Sequence, residues 1–464
     1  MLSIINKKSV FLLITSLISI LCGFFVTLFP TLFVVSLILL VIYIFVVYQF
    51  NVTGVFLFIV LSILSPDLKI ADVLFFITVI VLLISNYRPS VQRPHEQRLH
   101  LDRLIFISLI TFFGFLIVST LIGKIVLKHQ WSYLYNDFRQ LIYYVWIPVF
   151  IWLRHKNHYF TVIKINRLIL AVALFIAVTA LFQFFSGIQV VAQGRVGYLL
   201  TEGADQSDIT RVQLPGFVFV MYAIIFAIFQ LFETKANKLL WLAFLTLMLV
   251  AEYVNFGRAL WLWTLISFVL ILFFIHKKML YVTMLCAALT TSTLGLWMIS
   301  PDKLDTIQTR LVSIKSEGGA RTSYGWRKIE NEYALKRIQA SPVLGVAIGG
   351  EYRPWMREIS KFKDHTRYIH NSYLFIATKT GLLSLMALLT IIVAIWYKNI
   401  KSLKSEVDLK ADHYPRNTIA VFLPSILGLS LTQPELVNPY GAFLISCIVS
   451  MTLFYKKALN DKNN

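Results

Sequence analysis

Apolar runs long enough to cross a lipid bilayer recur from one end of this chain to the other. A helix rises 1.5 Å per residue, so about 20 apolar residues cover a hydrocarbon core of ~30 Å. Such runs fall at 9–29, 31–48, 53–65, 70–86, 104–122, 140–153, 168–185, 214–232, 239–256, 259–275, 279–299, 371–397, 417–432 and 440–455. With 58% of 464 residues hydrophobic and 14% charged, the sequence is unlike that of an ordinary soluble domain. No run shows the strand alternation of a closed membrane barrel. The expected fold is therefore an all-α polytopic membrane protein of about 12–14 transmembrane helices, one integral membrane domain over residues 1–464. The weakest pair of spans is 53–65 and 70–86, because the first is short and Pro66-Asp67 intervenes. The first run follows Lys7 and Lys8, lacks a small-residue cleavage site and leads straight into the second. It reads as a retained span rather than a signal peptide.

The formal charge of +20 suggests nucleic acid until its distribution is followed. With the N-terminus inside, basic groups fall in every inner connection: Arg88 to Arg103, Arg154 to Arg167, Lys235 and Lys238, Lys277 and Lys278, Lys398 to Arg416, and Lys456 to Lys462. That is the positive-inside pattern, so no nucleic-acid partner is expected and membrane lipids are. Both termini are then cytoplasmic, and the long connection at 300–370 lies outside. Cys22, Cys286 and Cys447 all sit within apolar runs without a CxxC spacing, so packing explains them better than disulfides or zinc. No metal site and no cofactor is expected.

Three outer connections carry the polar chemistry. Gly187 to Leu214 holds Arg195, Glu202, Asp205, Asp208 and Arg211. The turn Asn255-Phe256-Gly257-Arg258 is very tight and leads into Ala259-Leu260-Trp261. The 300–370 loop lies between a span ending near 299 and one starting near 371. In it Leu304, Ile307, Leu311 and Ile314 follow a helical spacing, as do Trp326, Ile329, Tyr333 and Ile338, so amphipathic helices are expected. A turn at Ser341-Pro342 and the stretch Gly345-Val-Ala-Ile-Gly349-Gly350 follow. At its end His370 opens a hydrophobic helix, and Ala377, Gly381 and Ser384 lie near the same helical face. This places an imidazole, the side chain that titrates near neutrality, above a strip of small residues. Another helix or a lipid chain could approach closely there.

Arg258 stands on the side where the positive-inside rule disfavours basic residues. A guanidinium there can grip phosphate with paired hydrogen bonds, or it can snorkel to headgroups or pair with an acid. Asn371 serves equally as a helix cap or a substrate contact. Lys379, nine residues after His370, points nearly opposite to it; an intramembrane lysine hints at function, with snorkelling as the plain alternative. His365 reads as a surface residue, and Arg327, Arg337, Arg353 and Arg357 as loop ion pairs.

Four stretches resemble the O-antigen ligases and related polysaccharide polymerases. Tyr368-Ile-His370-Asn371-Ser-Tyr-Leu374 with Gly381 is similar to that superfamily's HN-x9-G signature. Ser341-Pro342-Val-Leu-Gly345-Val-Ala-Ile-Gly349 resembles its hPlxGxGxG stretch. Gly319-Ala-Arg321 with Trp326 resembles the arginine-then-tryptophan element, and Gly257-Arg258-Ala-Leu-Trp261 its SRGAWL element. The matches run in family order between about 195 and 390. Ser384, Ala347 and Gly257 depart from the usual residues without removing a functional group.

The resemblance implies a glycosyltransferase on the outer face of the bacterial inner membrane. Its donor would be a glycan on undecaprenyl diphosphate, and its acceptor a sugar hydroxyl of a glycan or glycolipid. Transfer would be inverting and metal-independent. His370 would be the general base, with Arg258, Arg321 and either Arg211 or Arg195 on the diphosphate, and Arg211 the better placed of the last two. A repeat-unit polymerase would use the same donor. A transporter or flippase is the rival from another class, but such proteins concentrate ionisable groups near mid-membrane, whereas here they gather at the outer boundary.

Overall fold

A computed structural model describes residues 32–65, 67–86, 102–156, 160–191, 195–200, 206–233, 237–274, 282, 323–356, 366–403 and 413–460. The expected span at 9–29, the one at 279–299 and the first amphipathic stretch at 304–314 lie outside these residues. Apart from the run at 140–153, which is divided between α5 and α6 by a tight turn at Tyr143–Val145, the rest form helices near the expected places: α1 Leu32–Gln49, α2 Asn51–Leu64, α3 Leu68–Ser85, α4 Arg103–Leu121, α5 Trp131–Ile142, α6 Trp146–Lys156, α7 Val162–Ser186, α8 Phe217–Glu233, α9 Lys238–Val254 and α10 Arg258–Ile271. They continue with α11 Ser323–Ala340, α12 Ser372–Thr380, α13 Leu382–Leu403, α14 His413–Leu429 and α15 Pro439–Asn460. Leu68–Ser85, Arg103–Val126, Val162–Ser186 and Leu382–Lys401 are each long and apolar enough to cross a membrane, and shorter apolar helices stand beside them. The protein is an all-α polytopic membrane protein. The segment at 53–65 and 70–86, the least certain pair in the sequence, forms the helix pair α2 and α3, with Asp67 capping α3 by accepting from the backbone N–H of Lys69.

Burial tells which surfaces face inward. Every residue of 217–232 is buried, so α8 is enclosed on all sides and needs no polar face. α1, by contrast, leaves Ile38, Leu39 and Phe45 exposed, the apolar surface that lipid covers. Sparse polar bonds tie the helices where no water competes: Tyr222 Oη donates to Asn166 Oδ1 at 2.8 Å, Asn399 Nδ2 to Thr452 Oγ1 at 2.9 Å, and Ser267 Oγ meets Ser425 Oγ at 2.7 Å.

α4 and α13 run antiparallel and define the two ends of the bundle. At one end Lys398 Nζ pairs with Asp102 at 2.9 Å; at the other Ser119 Oγ donates to the Lys379 carbonyl at 2.6 Å. The second end also gathers α5, the 341–356 segment, the start of α12 and the 430–438 turn. This is the site end of the bundle.

Two further elements differ from a simple reading of the hydropathy. The run at 371–397 is not one helix: α12 stops at Gly381, whose φ of 90° and ψ of 165° suit glycine alone, and α13 starts afresh. The polar 187–214 connection contains an antiparallel hairpin, β1 Arg195–Leu200 against β2 Gln206–Gln213, with Arg195 opposite Gln213 and Gly197 opposite Arg211.

Candidate active site

The glycine-rich stretch after α11 folds back onto the break between α12 and α13. Val346 N–H donates to Thr378 O at 2.7 Å, and Leu382 N–H to Pro342 O at 2.8 Å, so the two chain segments exchange backbone bonds across the break. Glycine is required on both sides of this contact. A Cβ on Gly345 would collide with the Thr378 carbonyl and one on Gly381 with the Val343 carbonyl, and both residues have positive φ. What approaches the small-residue position at Gly381 is therefore this loop's own backbone. Ala347, standing where glycine is frequent, also has a positive φ of 64° and is buried, a conformation that costs an L-residue about 1 kcal/mol.

A buried ion pair fastens the same junction. Lys379 is fully buried; its Nζ lies 2.7 Å from Asp137 Oδ2 on α5 and donates to Gly350 O at 2.6 Å. Asp137 Oδ2 also accepts from Gly349 N–H at 2.9 Å. Ile348 N–H donates to Ser119 Oγ at 3.1 Å, and the Ile348 carbonyl meets His129 Nδ1 at 2.9 Å. Arg367 adds a strap, lying 3.5 Å over the Tyr133 ring and donating from Nε to the Gly349 carbonyl at 3.3 Å. From Ile348 to Gly350 each backbone carbonyl and N–H thus has a partner, as irregular backbone beside a membrane requires.

His370 lies at the other end of α12. Asn371 caps that helix: its Oδ1 accepts from Tyr373 N–H at 3.0 Å and Leu374 N–H at 3.2 Å. Ser372 pins the cap to the 430–438 turn, with its N–H on Ser430 O at 3.0 Å, its Oγ donating to Gln433 O at 3.1 Å and accepting from Leu436 N–H at 3.2 Å. The His370 imidazole is 26% exposed, and its Nδ1 stands 2.9 and 3.1 Å from the two carboxylate oxygens of Glu330 on α11. The His370 N–H also reaches Glu330 Oε2 at 3.2 Å, and the Tyr368 ring meets the imidazole edge-on at 5.0 Å. Glu330 is buried because α11 turns the stripe Trp326, Glu330, Ala334 and Ile338 inward at four-residue spacing. Burial pushes the Tyr368 and Tyr352 hydroxyls well up, reinforced by Glu330 in both, so both remain neutral phenols. Glu435, in the 430–438 turn and felt electrostatically at Tyr368, has its carboxyl pushed up to about 7 by burial.

The remaining sequence candidates divide. Arg258 is the first residue of α10, entered from Phe256 at a φ of 50° and Gly257. α10 and α12 reach the same end of α14 from two sides: Gly428 packs against the Trp263 ring, while Tyr373 Oη donates to Leu427 O at 2.5 Å. Ala377 and Ser384 are buried beside the break, and the Ser384 hydroxyl has no hydrogen-bond partner among the described residues. Arg195 and Arg211 lie on the hairpin, two positions apart along one ladder. Arg321 and His365 lie outside the described residues. Sequence reasoning named neither Glu330 nor the Lys379–Asp137 pairing; the inward four-residue stripe on α11 was the available signal for the first.

A search among curated proteins finds no match to the chain. Residues 242–389 match the family model described as O-antigen ligase, a segment that includes Arg258, Glu330, the glycine-rich loop, Lys379 and His370. Over that segment, less than half of the chain, it is similar to the O-antigen ligases, membrane ligases and polymerases of glycan biosynthesis.

Proposed function

We propose that the protein transfers a glycan from an undecaprenyl-diphosphate carrier to a sugar hydroxyl, at the outer face of the inner membrane, with His370 as general base. The observation that carries this reading is the partly exposed imidazole at the mouth of the site end, inside the matched segment and held by a rigid cap. In the proposed step the acceptor O–H gives its proton to Nε2 of His370 while its oxygen attacks the anomeric carbon. The bond from that carbon to the diphosphate oxygen breaks, and the diphosphate leaves with the electron pair. Direct displacement inverts the anomeric centre. Arg258, with Arg321 and Arg211 or Arg195, balances the charge of the departing diphosphate, since guanidinium groups pair with phosphate in a planar fork. A ligase and a repeat-unit polymerase would share this step and differ in the acceptor that occupies the mouth.

The test is transfer by purified protein from a synthetic lipid-diphosphate glycan to acceptor, with EDTA present. His370→Ala should lower turnover by about 10²–10⁴-fold while the protein still accumulates and inserts. Near-normal turnover would remove His370 from the chemistry. Loss of wild-type transfer in EDTA, restored by a divalent ion, would replace the metal-free step.

A further inference from the structure

We infer that Glu330 is the positioning residue that selects the working tautomer of His370; this rests on His370 being the base. Three bonds converge on one buried carboxylate. Both of its oxygens lie within 3.1 Å of His370 Nδ1, and one also accepts the His370 backbone N–H. An ionised carboxylate only accepts hydrogen bonds, so in the neutral imidazole the proton sits on Nδ1 and the lone pair on Nε2. The Glu330 side chain is 1% exposed and the His370 side chain 26% exposed, so Glu330 covers the Nδ1 edge of the imidazole while part of the ring stays open. The edge-on Tyr368 ring limits rotation of the imidazole, and its hydroxyl remains neutral beside the carboxylate.

The arrangement matches what the proposed step needs. When Nε2 takes the acceptor proton, the ring becomes a cation with both nitrogens donating, and the Glu330 carboxylate faces the Nδ1–H of that cation. Glu330 therefore orients the base before reaction and stabilises the imidazolium formed during it, without touching the substrate. The acceptor hydroxyl occupies the place that a side-chain nucleophile takes in a hydrolytic triad.

Glu330→Gln separates this role from packing. The amide has nearly the shape of the carboxylate and can still accept the His370 N–H. Its NH2 group, however, can donate to Nδ1, which moves the ring proton to Nε2. Turnover should fall roughly 10²–10⁴-fold with little change in KM for either substrate. Solid-state NMR of ¹⁵N-histidine-labelled protein in lipid reads the tautomer directly, with the His370 signal assigned by its loss in His370→Ala. At a pH above the ordinary imidazole range, wild type should show Nδ1–H, and E330Q should show Nε2–H. Glu330→Asp, which keeps the charge at longer reach, should keep Nδ1–H with intermediate turnover; it carries the test if E330Q does not fold. Wild-type turnover in E330Q, beside an inactive His370→Ala, would overturn the role of Glu330 and leave the base intact. A fall in turnover with the tautomer unchanged would reduce Glu330 to a packing residue. An active His370→Ala would instead refute the parent reading.

Discussion

Replacing Lys379 by methionine tests whether the site end depends on the buried pair beneath it. Methionine keeps the length and apolar stem of lysine but removes the ammonium. Two contacts vanish together, the 2.7 Å pairing with Asp137 and the 2.6 Å bond to the Gly350 carbonyl. Among the described residues Asp137 then keeps the Gly349 N–H alone for a buried charge. Removing one partner of such a pair costs about 3–5 kcal/mol, most of it the penalty of the charge left behind. The double substitution Lys379→Met with Asp137→Leu removes that charge; Gly350 O is unpaired in both variants, so the double exchanges the orphaned carboxylate for an unpaired Gly349 N–H at about 1–3 kcal/mol. The double variant should therefore be more stable than Lys379→Met and less stable than wild type. Thermal unfolding in detergent gives the ordering, and the single variant should melt several degrees below wild type. Equal melting of Lys379→Met and wild type would show that Lys379 is not held as described. A double variant less stable than the single would show that the cost is not that of an orphaned carboxylate.

Two further outcomes follow from the same end of the molecule. Gly381→Ala should prevent the loop from docking, since its Cβ collides with Val343 O at a φ of 90°, whereas Ala347→Gly should be neutral or stabilising because it relieves a left-handed alanine; both are read by melting and by turnover. Glu435, whose carboxyl rises from 4.5 when unfolded to about 7 when folded, holds its proton more tightly in the folded state. Its stabilising contribution is complete below pH 4.5 and is lost as pH rises through 7, at most on the order of 3 kcal/mol because the residue as a whole is half-buried. Glu435→Gln should flatten the melting temperature across that window, and an unchanged slope would refute the assignment.

The spans were legible because bilayer crossing needs a long continuous apolar run, and such a run cannot be mistaken for much else. The cap at Asn371 was legible too, since it is written in three adjacent residues. The break at Gly381 was not. Eleven residues from His370 make about three helical turns, which invites a continuous helix, and only the backbone of residues 342–346 shows why the helix stops. Glu330 was hidden for a similar reason. On an amphipathic helix a glutamate reads as solvent-facing, and its partner is an imidazole 40 positions later. The hairpin carried a faint local signal in the alternation of Val196, Tyr198 and Leu200, which the surrounding polarity obscured.

The geometry also explains why two motifs separated along the chain belong together. α12 is only nine residues long, too short to hold a shape by its own hydrogen bonds. Its position is set from both ends: Ser372 is bonded into the 430–438 turn, and Thr378 to Gly381 are bonded to the glycine-rich loop and, through Lys379, to α5. A base mounted on such an element is preorganised only while both anchors hold, because a shift of about 1 Å at a reacting group can cost 10²-fold in rate. Asp137, Ser119, Ser430 and Gln433 lie outside the matched segment at 242–389, as do Arg195 and Arg211, although His370, Arg258 and Arg321 lie within it. Cut free, that segment would leave the Lys379 ammonium buried without its carboxylate and α12 without its cap-side anchor. The proposed base lies in one stretch of the chain, but the anchors that hold its helix come from elements on either side.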